Sequence, residues 1–414
     1  MKRRNFLKGL AAMPVIGRST FSAGGLLSSV GNVLANGFEG KTLVVIFQRG
    51  GCDGLNTVVP YGEDEYYRLR PDIAIARPGS GAGGALDLDG FFGLHPAMSA
   101  MHEIYQQGHL AVLPTVHYHD GNRSHFTSQD FIESGTPGTQ RADGWLNRYL
   151  ASRSQEADMR AVSFGSLVHA LKGSTPVAAI DSLDAPVSGL DNQVLNQLSG
   201  IYQQSVASAL KERLLLKQHG ELALDNLLVL DQYRQQSYIP DNGAVYPETG
   251  YGRQLRDIAR LVKARAGLEV AAVNIGGWDN HSGQGGAEGF QANRLSEFSN
   301  GIAALYKDLG AAYMNDVVIV TMTEFGRTAK QNASGGTDHG NASSWFVIGQ
   351  QVNGGIYGEW PGLSPEQLYL GRYLAHSTAF TDIFGEIIVK HFNHASSLAS
   401  VLPGSQYQSV GFMS

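Results

Sequence analysis

The sequence predicts an α/β fold, a doubly wound and mostly parallel sheet with an inserted helical segment. Short apolar runs rich in β-branched residues alternate with stretches in which apolar residues recur every three or four positions, the pattern of buried strands joined by amphipathic helices. Each of five polar clusters follows such an apolar run: Arg49-Gly50-Gly51-Cys52-Asp53-Gly54, His117-Tyr118-His119, Gly276-Gly277-Trp278-Asp279-Asn280-His281, Thr323-Glu324-Phe325-Gly326-Arg327 and Gly336-Thr337-Asp338-His339-Gly340. In open α/β sheets ligands bind beyond the carboxyl ends of the strands, where these clusters fall, so the polar residues mark a site.

The chain opens with Lys2-Arg3-Arg4-Asn5-Phe6-Leu7-Lys8 ahead of a weakly apolar stretch from Gly9 to Ala35. Paired arginines before such a stretch resemble a twin-arginine export signal. Pro14, Arg18 and several Gly and Ser interrupt the stretch too often for a spanning helix. Residues 1–35 are therefore expected to be a signal, leaving 36–414 as one α/β domain in the periplasm or outside the cell, with no integral membrane segment.

Thr42 to Phe47 reads as a buried first strand that opens into a glycine-rich turn. Glu63 to Gly90 is polar and punctuated by Pro, Gly and Ala, which predicts a surface excursion. Pro96 to Gln107 has helical spacing, and Leu110 to Val116 reads as a second strand whose far end Pro114 weakens. Arg123 to Ser134 is expected to be a helix, with Ser124 near its start. Leu190 to Tyr238 carries apolar residues at helical spacing, through Val206, Leu210 and Leu214 and again Leu224, Leu227 and Leu230. This predicts a helical insertion over about 190–240. Helix at Leu255–Ala266, strand at Glu269–Ile275, helix at Phe290–Tyr313 and strand at Asp316–Thr321 complete the pattern.

Composition narrows the function. A formal net charge of −6 and the absence of interleaved basic and aromatic segments argue against nucleic acid as a partner. The single cysteine, Cys52, excludes an intramolecular disulfide, so stability rests on packing or on a metal. Many of the 52 glycines fall in the strand tips.

Asp53 lies between glycines, where a tight turn lets a carboxylate approach a cation. Asp279 and His281 are two residues apart, a spacing that aims both side chains one way in extended backbone. With Asp338 and His339 they form a mixed oxygen and nitrogen donor set, which suits zinc or manganese better than calcium. Arg123 and Arg327 are candidates to hold an oxyanion through paired N–H bonds. Each residue also has an ordinary structural reading. Asp53 can serve the turn, Glu324 can pair with Arg327, His95 and His125 can be caps, and His117 and His119 can form a hydrogen-bonded rim.

Taken together, Arg49 to Asn56, His119-Asp120-Gly121-Asn122-Arg123-Ser124-His125-Phe126, Gly276 to His281, Thr323 to Thr328 and Gly336 to Gly340 resemble the exported DUF1501 family of unknown function. That family is distantly similar to the alkaline phosphatase and sulfatase superfamily. The resemblance implies an alkaline-phosphatase-like fold with Asp53 as first metal ligand and Ser124 as nucleophile. It further implies Asp279 with His281 as the next ligand pair, Glu324 as the later acid and His339 as the last imidazole. Two features depart from the superfamily pattern: Glu324-Phe325 stands where an Asp-His pair is usual, and Asp279 to His281 is a short spacing. Asp338 or His117 is the candidate to compensate.

The leading expectation is a metal-dependent hydrolase or transferase of phosphate or sulfate esters, small or polymeric, with zinc or manganese as cofactor. The alternative is a non-catalytic envelope binding or assembly protein on the same fold, favoured by Phe325. A serine hydrolase built on Ser124 and His125 is the weakest reading, because adjacent residues on a helix point about 100° apart.

Overall fold

Thr42–Gln48 (β1) sits at the middle of the sheet, and all seven of its residues are buried because helices cover both faces. The computed structural model describes residues 40–119, 121–153, 159–184, 233–234 and 237–414. The expected export signal and nearly all of the expected helical insertion lie outside them. Alternation along β1 sends Val44 and Ile46 into one core and Leu43, Val45 and Phe47 into the other. Each such aliphatic side chain contributes about 1.5–3 kcal/mol on full burial.

Seven further strands complete the run: Leu110–His117 (β2), Ala161–Phe164 (β3), Ala178–Ile180 (β4), Val270–Ile275 (β5), Val317–Met322 (β6), Ser343–Ile348 (β7) and Gly355–Ile356 (β8). They lie in the order β8-β2-β7-β6-β1-β5-β3-β4, and Thr378–Ala379 (β9) adds to β2. Strand β1 pairs in parallel with β5 on one side and β6 on the other. The sheet is thus mostly parallel and mixed, as expected, with one inversion: β7 runs antiparallel to both β6 and β2. Strand β7 lies beyond the last strand expected from the sequence, the one over 316–321. Two antiparallel steps cancel, so β2 points the same way as β1, β5 and β6. Pro114 falls where the β2–β7 register shifts, the irregularity at which a strand tolerates a residue without an N–H.

Ser99–Gln106 (α1), Gly250–Lys263 (α4) and Phe290–Met314 (α5) pack on the Val44 face, α5 bending at Gly310 with φ 56°. Trp145–Ala151 (α3) and Phe380–Glu386 (α6) pack on the other, where Trp145 stacks on Phe384 at 4.2 Å. His125–Ser134 (α2) follows β2 across the rim, with Ser124 as its N-cap residue. The expected excursion over 63–90 is only partly superficial. It holds the short helix Asp64–Leu69 and sends Tyr66, Arg70, Ile73 and Ile75 inward.

Candidate metal centre

Every expected site residue leaves the sheet at the carboxyl-end rim of β1, β2, β5 or β6, or lies in the loop between β6 and β7. Two glycines make this convergence possible. Gly50 and Gly51 have φ of 124° and 70°. A Cβ on Gly50 would lie 2.8 Å from the Asp279 nitrogen, and one on Gly51 would lie 2.6 Å from the Phe325 ring. Only glycine lets the β1 turn nest between the tips of β5 and β6.

Glu324, buried at the end of β6, accepts three hydrogen bonds at Oε1. They come from Gly50 N at 2.9 Å, Gln129 Nε2 at 2.9 Å and His125 Nδ1 at 2.7 Å, while Oε2 lies 3.2 Å from Thr323 Oγ1, whose hydroxyl donates to the Gln48 carbonyl at 2.8 Å. Burial pushes its carboxyl up, but His125, its own amide and Gln129 outweigh that and hold it below the ordinary range. His125, the first residue of α2, is thereby anchored through Nδ1.

The other two imidazoles are held in the same way. His339 Nδ1 lies 2.9 Å from the Arg123 carbonyl, and His281 Nδ1 lies 3.0 Å from Asp338 Oδ1. Carboxylates and carbonyls only accept, so Nδ1 of all three rings carries the hydrogen and each neutral ring is left with a lone pair on Nε2. Those lone pairs meet. His339 Nε2 is 3.0 Å from His125 Nε2, 3.1 Å from His281 Nε2 and 3.2 Å from Asp279 Oδ1, and His281 Nε2 is 3.0 Å from that same oxygen. Acceptors so close repel one another unless a proton or a cation lies among them.

Ligand atoms of His125, Asp279 and His339 all lie within 4.8 Å of one another, the separation a shared metal ion requires. The edge of a tetrahedral zinc site is about 3.3 Å, close to the spacings observed. Three rings oriented by a carboxylate, a carbonyl and a carboxylate match the outer support that metal-bound histidines receive. The residues therefore fit a divalent cation. The Glu324 hydrogen bond raises the His125 pKa, whereas burial lowers that of His339. For Asp279 burial acts upward, but the hydrogen bond and charge of Arg327 prevail and keep it ionised.

The remaining expected residues take other places. Asp53 does not join the cluster: its carboxylate is clamped by Arg70, with Nη1 to Oδ2 at 2.5 Å and Nη2 to Oδ1 at 2.9 Å, and takes Gln284 Nε2 at 2.6 Å. The buried guanidinium supplies the positive charge that the sequence reading gave to a metal. Arg327 is equally committed. It donates to the carbonyls of Gly50, Gly51, Trp278 and Thr337 and to Asp279 Oδ1 at 2.6 Å. With its side chain buried, it positions Asp279 and ties three loops together rather than holding an oxyanion. Asp338 supports His281 and Asn332 from outside the ligand cluster.

Ser124 is exposed, its side chain makes no cap bond, and it lies between the Arg123 carbonyl on His339 and the His125 ring. Ser124 is extended rather than helical, so the helical-angle objection to His125 as its base does not apply. The commitments of His125 to Glu324 and His339 supply a better one. His117 stays apart from the cluster, buried, with Nε2 lacking a hydrogen-bond partner among the described residues. His95 is a cap whose Nδ1 accepts from Ala97 N at 3.0 Å.

His125 as a ligand and Arg70 as the partner of Asp53 are not among the residues expected from the sequence. The available signal for His125 was slight: an imidazole in the first turn of a helix, where the dipole disfavours imidazolium and so favours a neutral, ligating ring. Phe325, in the place of the absent imidazole, forms a floor with its ring 4.9 Å from both His125 and His339.

The family model described as "Protein of unknown function (DUF1501)" matches residues 40–376, which contain the whole cluster. The chain belongs to the DUF1501 family. No curated protein matches it. Among solved structures, similarity extends to Ps i-CgsB in complex with k-i-k-neocarrahexaose, at 9% identity over 89% of this chain and 73% of that one, with a TM-score of 0.38. The PsFucS1 sulfatase from Pseudoalteromonas sp. is 11% identical over 94% and 75% of the two chains, with a TM-score of 0.40. The phosphonate monoester hydrolase of Agrobacterium radiobacter is 10% identical over 89% and 79%, with a TM-score of 0.33.

Proposed function

We propose that this DUF1501 protein is an exported, metal-dependent hydrolase or transferase of sulfate or phosphate esters, with Ser124 as nucleophile. The observation that carries the reading is the meeting of imidazole Nε2 atoms on Asp279 with each Nδ1 anchored elsewhere. His125, Asp279 and His339 would hold the ion, with His281 beside them. Zinc or manganese bound there supplies Lewis acidity, drawing charge from the ester and easing deprotonation of the attacking hydroxyl.

The chain's own residues would do the rest. Ser124 sits ahead of the first-turn N–H groups of α2, which have no helical acceptor and favour negative charge on its oxygen. Arg123, without an ion-pair partner among the described residues, would face the charge developing on the ester. Glu324 would keep His125 in one tautomer, and Phe325 would shut water out from below. Arg3-Arg4 and the stretch that follows support export through the twin-arginine route, which cell fractionation would test.

The clamping of Asp53 by Arg70 and the full commitment of Arg327 favour a second reading, a binding protein that keeps the cluster without turnover. Purified mature chain assayed with aryl sulfates and aryl phosphates, beside metal analysis, separates the two. About one equivalent of zinc or manganese, with turnover that Ser124→Ala abolishes while metal content holds, is the expected result. Full turnover by Ser124→Ala removes the nucleophile; bound metal without turnover of any ester selects the second reading.

A further inference from the structure

Beside the cluster two guanidinium groups share one aromatic ring. Arg123 Cζ lies 4.7 Å and Arg372 Cζ 5.6 Å from the centre of the Tyr373 ring, so at most about 10 Å separates the two charges. The backbone that carries the ring is tied on both sides. Tyr369 and Tyr373 exchange backbone hydrogen bonds at 2.8 and 3.0 Å, Tyr373 bridges to Thr328, and Ala329 N donates to the Arg372 carbonyl at 3.2 Å. The arginines are joined to the cluster as well, Arg123 through its carbonyl on His339 and Arg372 through a 3.5 Å approach to Asp338.

Their charge is poorly compensated. Asp338 also serves His281, and Arg372 is 57% exposed; Arg123 makes no ion pair among the described residues. Two like charges on one ring, with only Asp338 near them and that carboxylate shared with His281, repel each other, and an anion beside them relieves that cost.

We propose that Arg372 and Arg123, arrayed on Tyr373, form an anion subsite at the rim of the metal cluster, and that the ligand carries at least two sulfate or phosphate groups. One group would reach the cluster while another is held at Arg372. The inference rests on the proposed ester chemistry for the first group, but the second is read from the arginines alone. A sulfated glycan and a phosphorylated polymer share this chemistry, and the experiment separates them.

The test is equilibrium binding of the metal-loaded mature chain to dextran sulfate, to polyphosphate, to uncharged dextran and to free sulfate, with metal content and Tm measured alongside. One polyanion is expected to bind, free sulfate much more weakly and dextran not at all. Arg372→Gln is expected to weaken polyanion binding at least tenfold with metal content and Tm unchanged, Arg372→Lys to recover part of it, and added salt to weaken it. The stronger of dextran sulfate and polyphosphate identifies the source of the anion. Wild-type affinity in Arg372→Gln, or equal binding of dextran and dextran sulfate, overturns the proposal. Arg372-dependent binding by a chain that never holds metal would leave the subsite standing and remove the metal reading instead.

Discussion

Glu324→Gln is the sharpest probe of the metal centre because the structure lets the amide keep every hydrogen bond while losing the charge. Its oxygen, placed at Oε1, still accepts from Gly50 N, Gln129 and His125. Its NH2, placed at Oε2, faces Thr323 Oγ1, whose own hydroxyl donates to the Gln48 carbonyl and whose oxygen already accepts from Cys52 N with one lone pair left over. Only the carboxylate support of the His125 ring is removed. Such outer partners are typically worth about 10–100-fold in metal affinity, or roughly 1.4–2.7 kcal/mol. A second signature goes with the first. Because Glu324 is the largest cause of the raised His125 pKa, its neutralisation lets His125 lose its proton at lower pH. Metal binding should weaken near neutral pH while its acid limb, where protons displace the ion, moves downward. Competitive zinc titration over a pH series reads both. Affinity unchanged within about threefold, or an acid limb that stays put, would refute His125 as a ligand supported by Glu324.

Breaking the Arg70–Asp53 pair from one side, as Arg70→Met does, leaves a buried carboxylate uncompensated and should cost about 3–5 kcal/mol in urea unfolding. Gly51→Ala places a methyl 2.6 Å from the Phe325 ring at φ 70°; it should cost about 1–3 kcal/mol and weaken zinc binding in the same titration. Burial depresses the pKa of both His117 and His391 from the ordinary 6.5 to about 3. The unfolded chain therefore binds more protons across that interval, and their contribution to stability is present above 6.5 and lost progressively as pH falls toward 3. Urea midpoints measured across that window should fall with acidification, and less steeply in His391→Gln; parallel profiles for the two proteins would contradict the assignment.

The sequence by itself determined the layers and the rim. Apolar runs over 42–47, 110–116, 269–275 and 316–321 have no stable place except inside a covered sheet, and a polar cluster at the end of each must then surface on one side. For that reason Asp279 and His339 come within reach of one another at one rim, while Glu324, expected as a ligand, stands behind His125 on its Nδ1 side. What it did not determine is which partner each charge takes. Arg70 comes from a stretch whose polarity reads as surface, and no local spacing announces that it turns inward to Asp53. Arg327 looks like a substrate ligand until the carbonyls of three loops are seen to surround it. His125 reads as a cap until Glu324, almost two hundred positions away, takes its Nδ1. Helix and strand periods act between neighbours and can be read in order along the chain. The pairing of ionisable groups is decided by a few ångströms between distant loops, a distance that only the closed tertiary structure sets.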